Sequence, residues 1–212
     1  MISPIALAQN LSENPNLNSE LTPWTPTLSS APDPAGNGFV NWTNTFNDDN
    51  LMNGSGSAHV QLLTSVAPAS PANASSGIRQ CIILPGAPTT VMSAKYGAHF
   101  LIPSTGNPAV GLANATIEIR FFSDGNCLDF IPGTGGSQGL DLNGALSDTD
   151  WYELEDSNFP MPSGGVVAAS AEIRTFLRTT DATNDDYLAF FDHIFLALNG
   201  TLPVELIQFT VD

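Results

Sequence analysis

The stretch YLAFFDHIFLAL (187–198) sets one carboxylate and one imidazole among residues that otherwise belong in a protein interior. Read as a strand, its side chains alternate, so Leu188, Phe190, Asp192, Ile194 and Leu196 share one face and Ala189, Phe191, His193 and Phe195 the other. An ionised carboxylate in that company costs several kcal/mol unless something pairs with it. Asp192 therefore needs a partner. His59, His99 and His193 are the only histidines. None stands in an H-E-x-x-H motif or beside a clear nucleophile, so metalloprotease and triad chemistry lack a local signature. RFFSDGN is not a G-x-S-x-G elbow. Carboxylate pairs can be drawn at will from 21 acidic residues, which singles out no glycosidase pair. The chain reads as noncatalytic.

Binding chemistry is better represented. Sugar rings present C–H faces that stack on aromatic side chains, while their hydroxyls take polar partners. SDTDWYELED is the densest patch of that kind, and it nominates Trp151, Tyr152 and Asp150 as ligand-binding residues, with Trp42 as a further ring beside a loop. Trp24 and Trp42 also suit packing at the edge of a core. The acidic runs NDDN (47–50) and DATNDD (181–186) read as solvated turns and do not match an EF-hand loop.

The elements that must position these residues are strands. GFVNWT (38–43), AHVQLLTS (58–65), IRQCIIL (78–84) and TVMSAKYGAHFLI (90–102) alternate with turn-rich segments, and ATIEIRFF (115–122) opposes Ile117, Ile119 and Phe121 to Thr116, Glu118 and Arg120. A glycine-rich segment without periodicity, 123–149, reads as a long loop. DWYELE, VVAASAEIRTFL (166–177), residues 187–198 and PVELIQFTV (203–211) complete the set. Prolines 23, 26, 32 and 34 exclude a helix near the N-terminus. About nine strands and no amphipathic helix point to an all-β antiparallel sandwich, with the jelly roll as the usual two-sheet solution at this length. The predicted layout is an N-terminal extension or signal remnant (1–14), the sandwich (15–198) and a C-terminal strand or tail (199–212).

Twenty-one acidic residues against Arg79, Lys95, Arg120, Arg174 and Arg178 leave a net charge of −16. Nucleic acid and anionic lipid are poor partners for such a surface, whereas cations and neutral ligands suit it. No stretch approaches the 18 apolar residues of a membrane span. MISPIALAQ carries the small-x-small end of a secretory signal without its basic start, which suggests a secreted or cell-surface, bacterial protein. In that compartment Cys81 and Cys127 favour a disulfide, whereas two buried thiols suit a cytosolic chain.

The order of pieces resembles the galactose-binding-like jelly rolls that include many bacterial carbohydrate-binding modules. The residues that carry the resemblance are NLNSELTPW, with Asn18, Glu20 and Trp24; GSGSAHVQL, a turn into a strand; and the aromatic strand YLAFFDHIFL with its central Asp. Ser19 replaces the aromatic usual before the Glu, and Gly54 stands where a His is common. The resemblance implies glycan or extracellular-polymer binding and a structural Ca²⁺ held by Asp192 and Glu20, with backbone carbonyls from Gly54 to Ser57. Hard carboxylate and carbonyl oxygens suit that ion. The plainer alternative for Asp192 is capping by backbone N–H groups or exposure by strand twist. A second functional class is a self-assembling surface or filament subunit, in which MISPIALA or the C-terminal tail adds a strand to a neighbour.

Overall fold

A computed structural model describes residues 10–18, 20–29, 38–46, 48, 56–62, 74–108, 112–142, 146–156, 161–180 and 185–199. The strands are β1 (Thr25–Ser29), β2 (Gly38–Thr43), β3 (Ser57–Leu62), β4 (Ser75–Ile83), β5 (Thr89–Val91), β6 (Ala94–Leu101), β7 (Ala113–Phe122), β8 (Gly136–Asp141), β9 (Tyr152–Asp156), β10 (Val166–Ala168), β11 (Ser170–Thr179) and β12 (Tyr187–Leu198). They form two five-stranded antiparallel sheets, β1-β4-β11-β7-β8 and β2-β3-β12-β6-β9, with β5 and β10 as a separate pair. The protein is a jelly-roll β-sandwich.

The two longest apolar-rich strands of the C-terminal half occupy the middle of the sheets. β11 lies between β4 and β7, and β12 between β3 and β6. Their inward residues, among them Ala171, Ile173 and Leu177 on one side and Tyr187, Ala189, Phe191, Ile194 and Leu196 on the other, meet in one core with Ile117, Ile119, Phe121, Tyr96 and Phe100. Pro26 sits on β1 at a sheet edge, where a missing N–H costs no ladder bond. Residues 10–14, read from sequence as part of the extension, bond to the sandwich. Leu11 donates its N–H to the Leu196 carbonyl at 2.7 Å, and the buried Gln80 side chain bonds both the N–H and the carbonyl of Glu13.

Three expectations need correction. TVMSAKYGAHFLI divides into β5 and β6, and VVAASAEIRTFL into β10 and β11, because both breaks mark the place where the chain leaves the small β5–β10 pair for a main sheet. The glycine-rich 123–149 segment contains β8, a half-exposed edge strand pairing with β7. The third concerns β12. Its pairing with β6 shifts register between Asp192 and Phe195, and His193 takes φ +47°. A β-bulge of this kind inverts the alternation beyond it. Tyr187, Ala189 and Phe191 face the core before the bulge, and Ile194 and Leu196 after it. Asp192 therefore does not share a face with Ile194 and Leu196; it shares the outer face with Phe190.

Cys81 and Cys127 form a disulfide, tying β4 to the turn after β7. PVELIQFTV, MISPIALA and Gly54 lie outside the described residues.

Candidate functional site

The outer faces of the two sheets differ in chemistry. On β4, β7 and β11 the outward residues pair as ions: Arg79 with the nearly buried Glu172 at 3.1 Å, and Arg174 with Glu118 at 2.6 Å, which Arg120 also contacts. This ladder consumes arginine charge in holding the sheet together. Beside it, Asn114, Thr116, Ser137, Gly139, Arg178, Thr179 and Thr180 line an open cleft of about 460 Å³ with no aromatic ring in its wall.

The outer face of β2-β3-β12-β6-β9 is aromatic and imidazole-rich instead. Strand register arranges it in rows, because residues opposite one another on antiparallel strands point the same way. One row runs Asn41, His59, Phe190 and Leu101; the next runs Asp192, His99 and Glu153; beyond the bulge, Phe195, Gly97 and Glu155 align. Phe190 stacks on His59 at 5.0 Å between ring centres, and Phe39, 43% exposed, meets His59 edge-on at 5.7 Å. Burial holds the His59 imidazole below its ordinary value, and its buried Nε2 has no hydrogen-bond partner among the described residues. The partly exposed Phe195 ring lies across Gly97, where an added Cβ would come within 2.5 Å of it. Lys95 stands 5.9 Å from that ring's centre and bonds Glu155 at 2.9 Å.

At the centre of this face Asp192 is fully buried. Its Oδ2 accepts the N–H of Asp48 at 3.1 Å and its Oδ1 the N–H of His193 at 2.8 Å. Asp48 in turn presents its carboxylate to His99 Nδ1, and the rings of His99 and His193 stack at 4.9 Å. One ligand atom from each of Asp48, His99 and His193 lies within 4.8 Å of the others. From sequence Asp48 belongs to a run that reads as a solvated turn, and no motif joins the histidines, because three distant segments supply these residues and only the bulge turns His193 toward His99.

The residues nominated from sequence are dispersed. Trp42 is part-buried against the core, over Gly56, and its indole N–H donates to the Leu17 carbonyl at 2.6 Å; the ring serves the fold. Tyr152 packs against the core. Trp151 is half-buried immediately before β9, the edge strand that carries the outward Glu153 and Glu155. Asp150 is exposed beside it, accepting the Ser147 hydroxyl at 3.1 Å. Next to them the Ser104 hydroxyl and N–H hold the Asp148 carboxyl below its usual range. Glu20 is exposed, and its carboxylate accepts the Thr22 hydroxyl at 3.2 Å. Ser57 is buried and donates its hydroxyl to the Phe46 carbonyl.

No family model matches the chain, and no curated protein matches it. Solved structures do. A structure of TmCBM61 in complex with β-1,4-galactotriose superposes with a TM-score of 0.50 at 15% identity, over 88% of this chain and 97% of that one. The fold is that of the carbohydrate-binding-module β-sandwiches. A structure from work on the promiscuous specificity of carbohydrate-binding modules of the β-sandwich superfamily gives 0.52 at 13% identity, over 87% of this chain and 62% of that one. The module-like fold also serves enzymes: a Stig cyclase from Fischerella sp. TAU, in complex with an indole compound, gives 0.53 at 13% identity over 92% and 99%.

Proposed function

We propose that the protein is a noncatalytic, exported glycan-binding module that uses the outer face of β2-β3-β12-β6-β9. The observation that carries the proposal is the composition of that face. Partly exposed rings at Phe39 and Phe195 stand among outward Asn41, Gln61, Glu153 and Glu155, with Trp151 directly before β9, which is the mixture of stacking surface and hydroxyl partners a sugar chain needs. On the opposite sheet the cleft beside the ion-pair ladder has no ring in its wall, and the exposed Phe130 ring at the end of β7 is engaged by Arg120. The modules of like fold support the same reading, and the disulfide suits an oxidising compartment.

A Ca²⁺ ion shared by Asp192 and Glu20 is a separate claim within this proposal. The complete burial of Asp192 favours it; the two backbone N–H groups on its oxygens supply the competing explanation. Melting with and without chelator, in wild type and Glu20→Ala, separates them. For the glycan, the test is calorimetric titration with galactan, arabinan and xylan oligosaccharides. Binding to at least one is expected, with at least a tenfold loss in Trp151→Ala or Phe195→Ala at unchanged melting temperature. Equal affinity in both variants places any sugar site elsewhere and refutes the proposal.

A further inference from the structure

We propose that Asp48, His99 and His193 form a binding site for a divalent transition-metal ion, with zinc the best fit. The ligand atoms converge within 4.8 Å of one another, and no other cluster of three or more His, Cys, Asp or Glu ligand atoms occurs among the described residues. A tetrahedral zinc site needs ligand atoms about 3.4 Å apart at bond lengths near 2.0–2.2 Å, so the ion would take the place of the Asp48–His99 hydrogen bond, with that carboxylate and imidazole parting to admit it and His193 joining them. His99 and Asp48 are 25% and 23% exposed at their side chains, so an ion has a path to them.

The donor set decides the kind of ion. Two imidazole nitrogens and one carboxylate suit zinc and its first-row neighbours, whereas Ca²⁺ prefers a shell of hard oxygens. Three protein donors also leave a coordination position open to water or to an oxygen from a bound molecule. The surroundings are arranged as metal sites require. One buried carboxylate, Asp192, accepts the backbone N–H of two of the three ligand residues, Asp48 and His193, and so fixes where their side chains begin. Outer groups of this type orient ligands and raise affinity. The bulge at His193 supplies the rest, since a regular strand would carry this side chain toward the core face with Phe191's neighbours rather than beside His99. Charge agrees as well: Glu153 lies opposite His99, and the only lysine of the chain, Lys95, is already paired with Glu155.

The site lies on the face proposed for glycan but does not depend on that reading, and it is tested without sugar. Untagged full-length protein, stripped with chelator and dialysed, is titrated with ZnCl₂ and with CaCl₂ by calorimetry, and its melting is followed in parallel. One zinc per chain is expected, with a rise in melting temperature that calcium does not reproduce. His99→Gln and His193→Asn, the latter chosen because Asn tolerates positive φ, should weaken zinc at least tenfold, while His59→Ala should not. Cobalt(II) provides a second readout: its visible ligand-field bands should appear in wild type and be lost in His193→Asn. Absence of saturable zinc binding, or zinc binding equally strong in both ligand variants, overturns the proposal.

Discussion

Removing the Asp192 carboxylate is the sharpest test of how the centre of β12 is held. The side chain is fully buried on the outer face and accepts two backbone N–H groups, those of Asp48 and His193. Asp192→Ala leaves both donors without that acceptor, and each such loss costs about 1–3 kcal/mol. The expected destabilisation is about 4 kcal/mol, which for a chain of this size lowers the melting temperature by about 8–16 °C. Asp192→Asn keeps one acceptor oxygen and turns an N–H₂ toward the second donor, so it should cost about half as much. The assay is thermal and urea unfolding of wild type and both variants, each stripped of bound metal and dialysed, with and without added calcium. If backbone capping carries the effect, the differences are the same in both buffers. A calcium ion on this carboxylate would instead make added calcium stabilise wild type and widen its gap to the alanine variant. A shift of under about 2 °C for Asp192→Ala in every buffer, the size of an ordinary surface change, would refute the reasoning from burial itself.

Other outcomes follow from the same geometry. An added methyl at Gly97 meets the Phe195 ring at 2.5 Å and the Leu154 carbonyl at 2.7 Å, so Gly97→Ala should cost about 1–3 kcal/mol by urea unfolding, and less in a Phe195→Ala background where the ring is gone. Breaking the Cys81–Cys127 bridge, which spans 46 residues of sequence, should cost about 4 kcal/mol by chain entropy, read as a lower urea midpoint for the double Ser variant. His59 has its folded-state value depressed below 6.5 by burial, so the native state binds fewer protons than the unfolded chain as pH falls through that range. Stability from this group is complete above about pH 6.5 and declines toward the folded-state value; melting curves from pH 7.5 down to 5.5 should fall less steeply for His59→Phe than for wild type.

Much of this architecture is written locally in the chain. GFVNWT is β2 to the residue, and the alternation of 115–122 survives as the inner and outer faces of β7. Local patterns also point to the two-sheet sandwich, one of the few arrangements that cover so many half-apolar strands. β8 escaped because GSQGLD has few strand-favouring side chains and its pairing is decided by the neighbouring β7, a non-local fact. The bulge escaped for a deeper reason. FDHIF alternates plausibly through Asp192, and only the competition between β6 pairing and core packing decides that one residue is inserted there. That single insertion reverses the expected surroundings of Asp192 and brings His193 beside His99. Asp48 was illegible for a related cause: an acidic turn becomes part of a site only when folding lays it over a sheet. Trp151 and Asp150, nominated from sequence, immediately precede β9, an edge strand of the sheet on which the function is proposed.

The most direct test of that function is a chemical-shift map. Isotope-labelled protein is titrated with the oligosaccharide that calorimetry shows to bind, and backbone amides are followed. Shifts concentrated at Phe39, Asn41, His99, Trp151, Glu153 and Phe195, with the β4, β7 and β11 amides unmoved, are predicted. Shifts confined to Asn114, Thr116, Ser137 and Arg178, or none with any glycan, would contradict a ligand face on the imidazole-rich sheet.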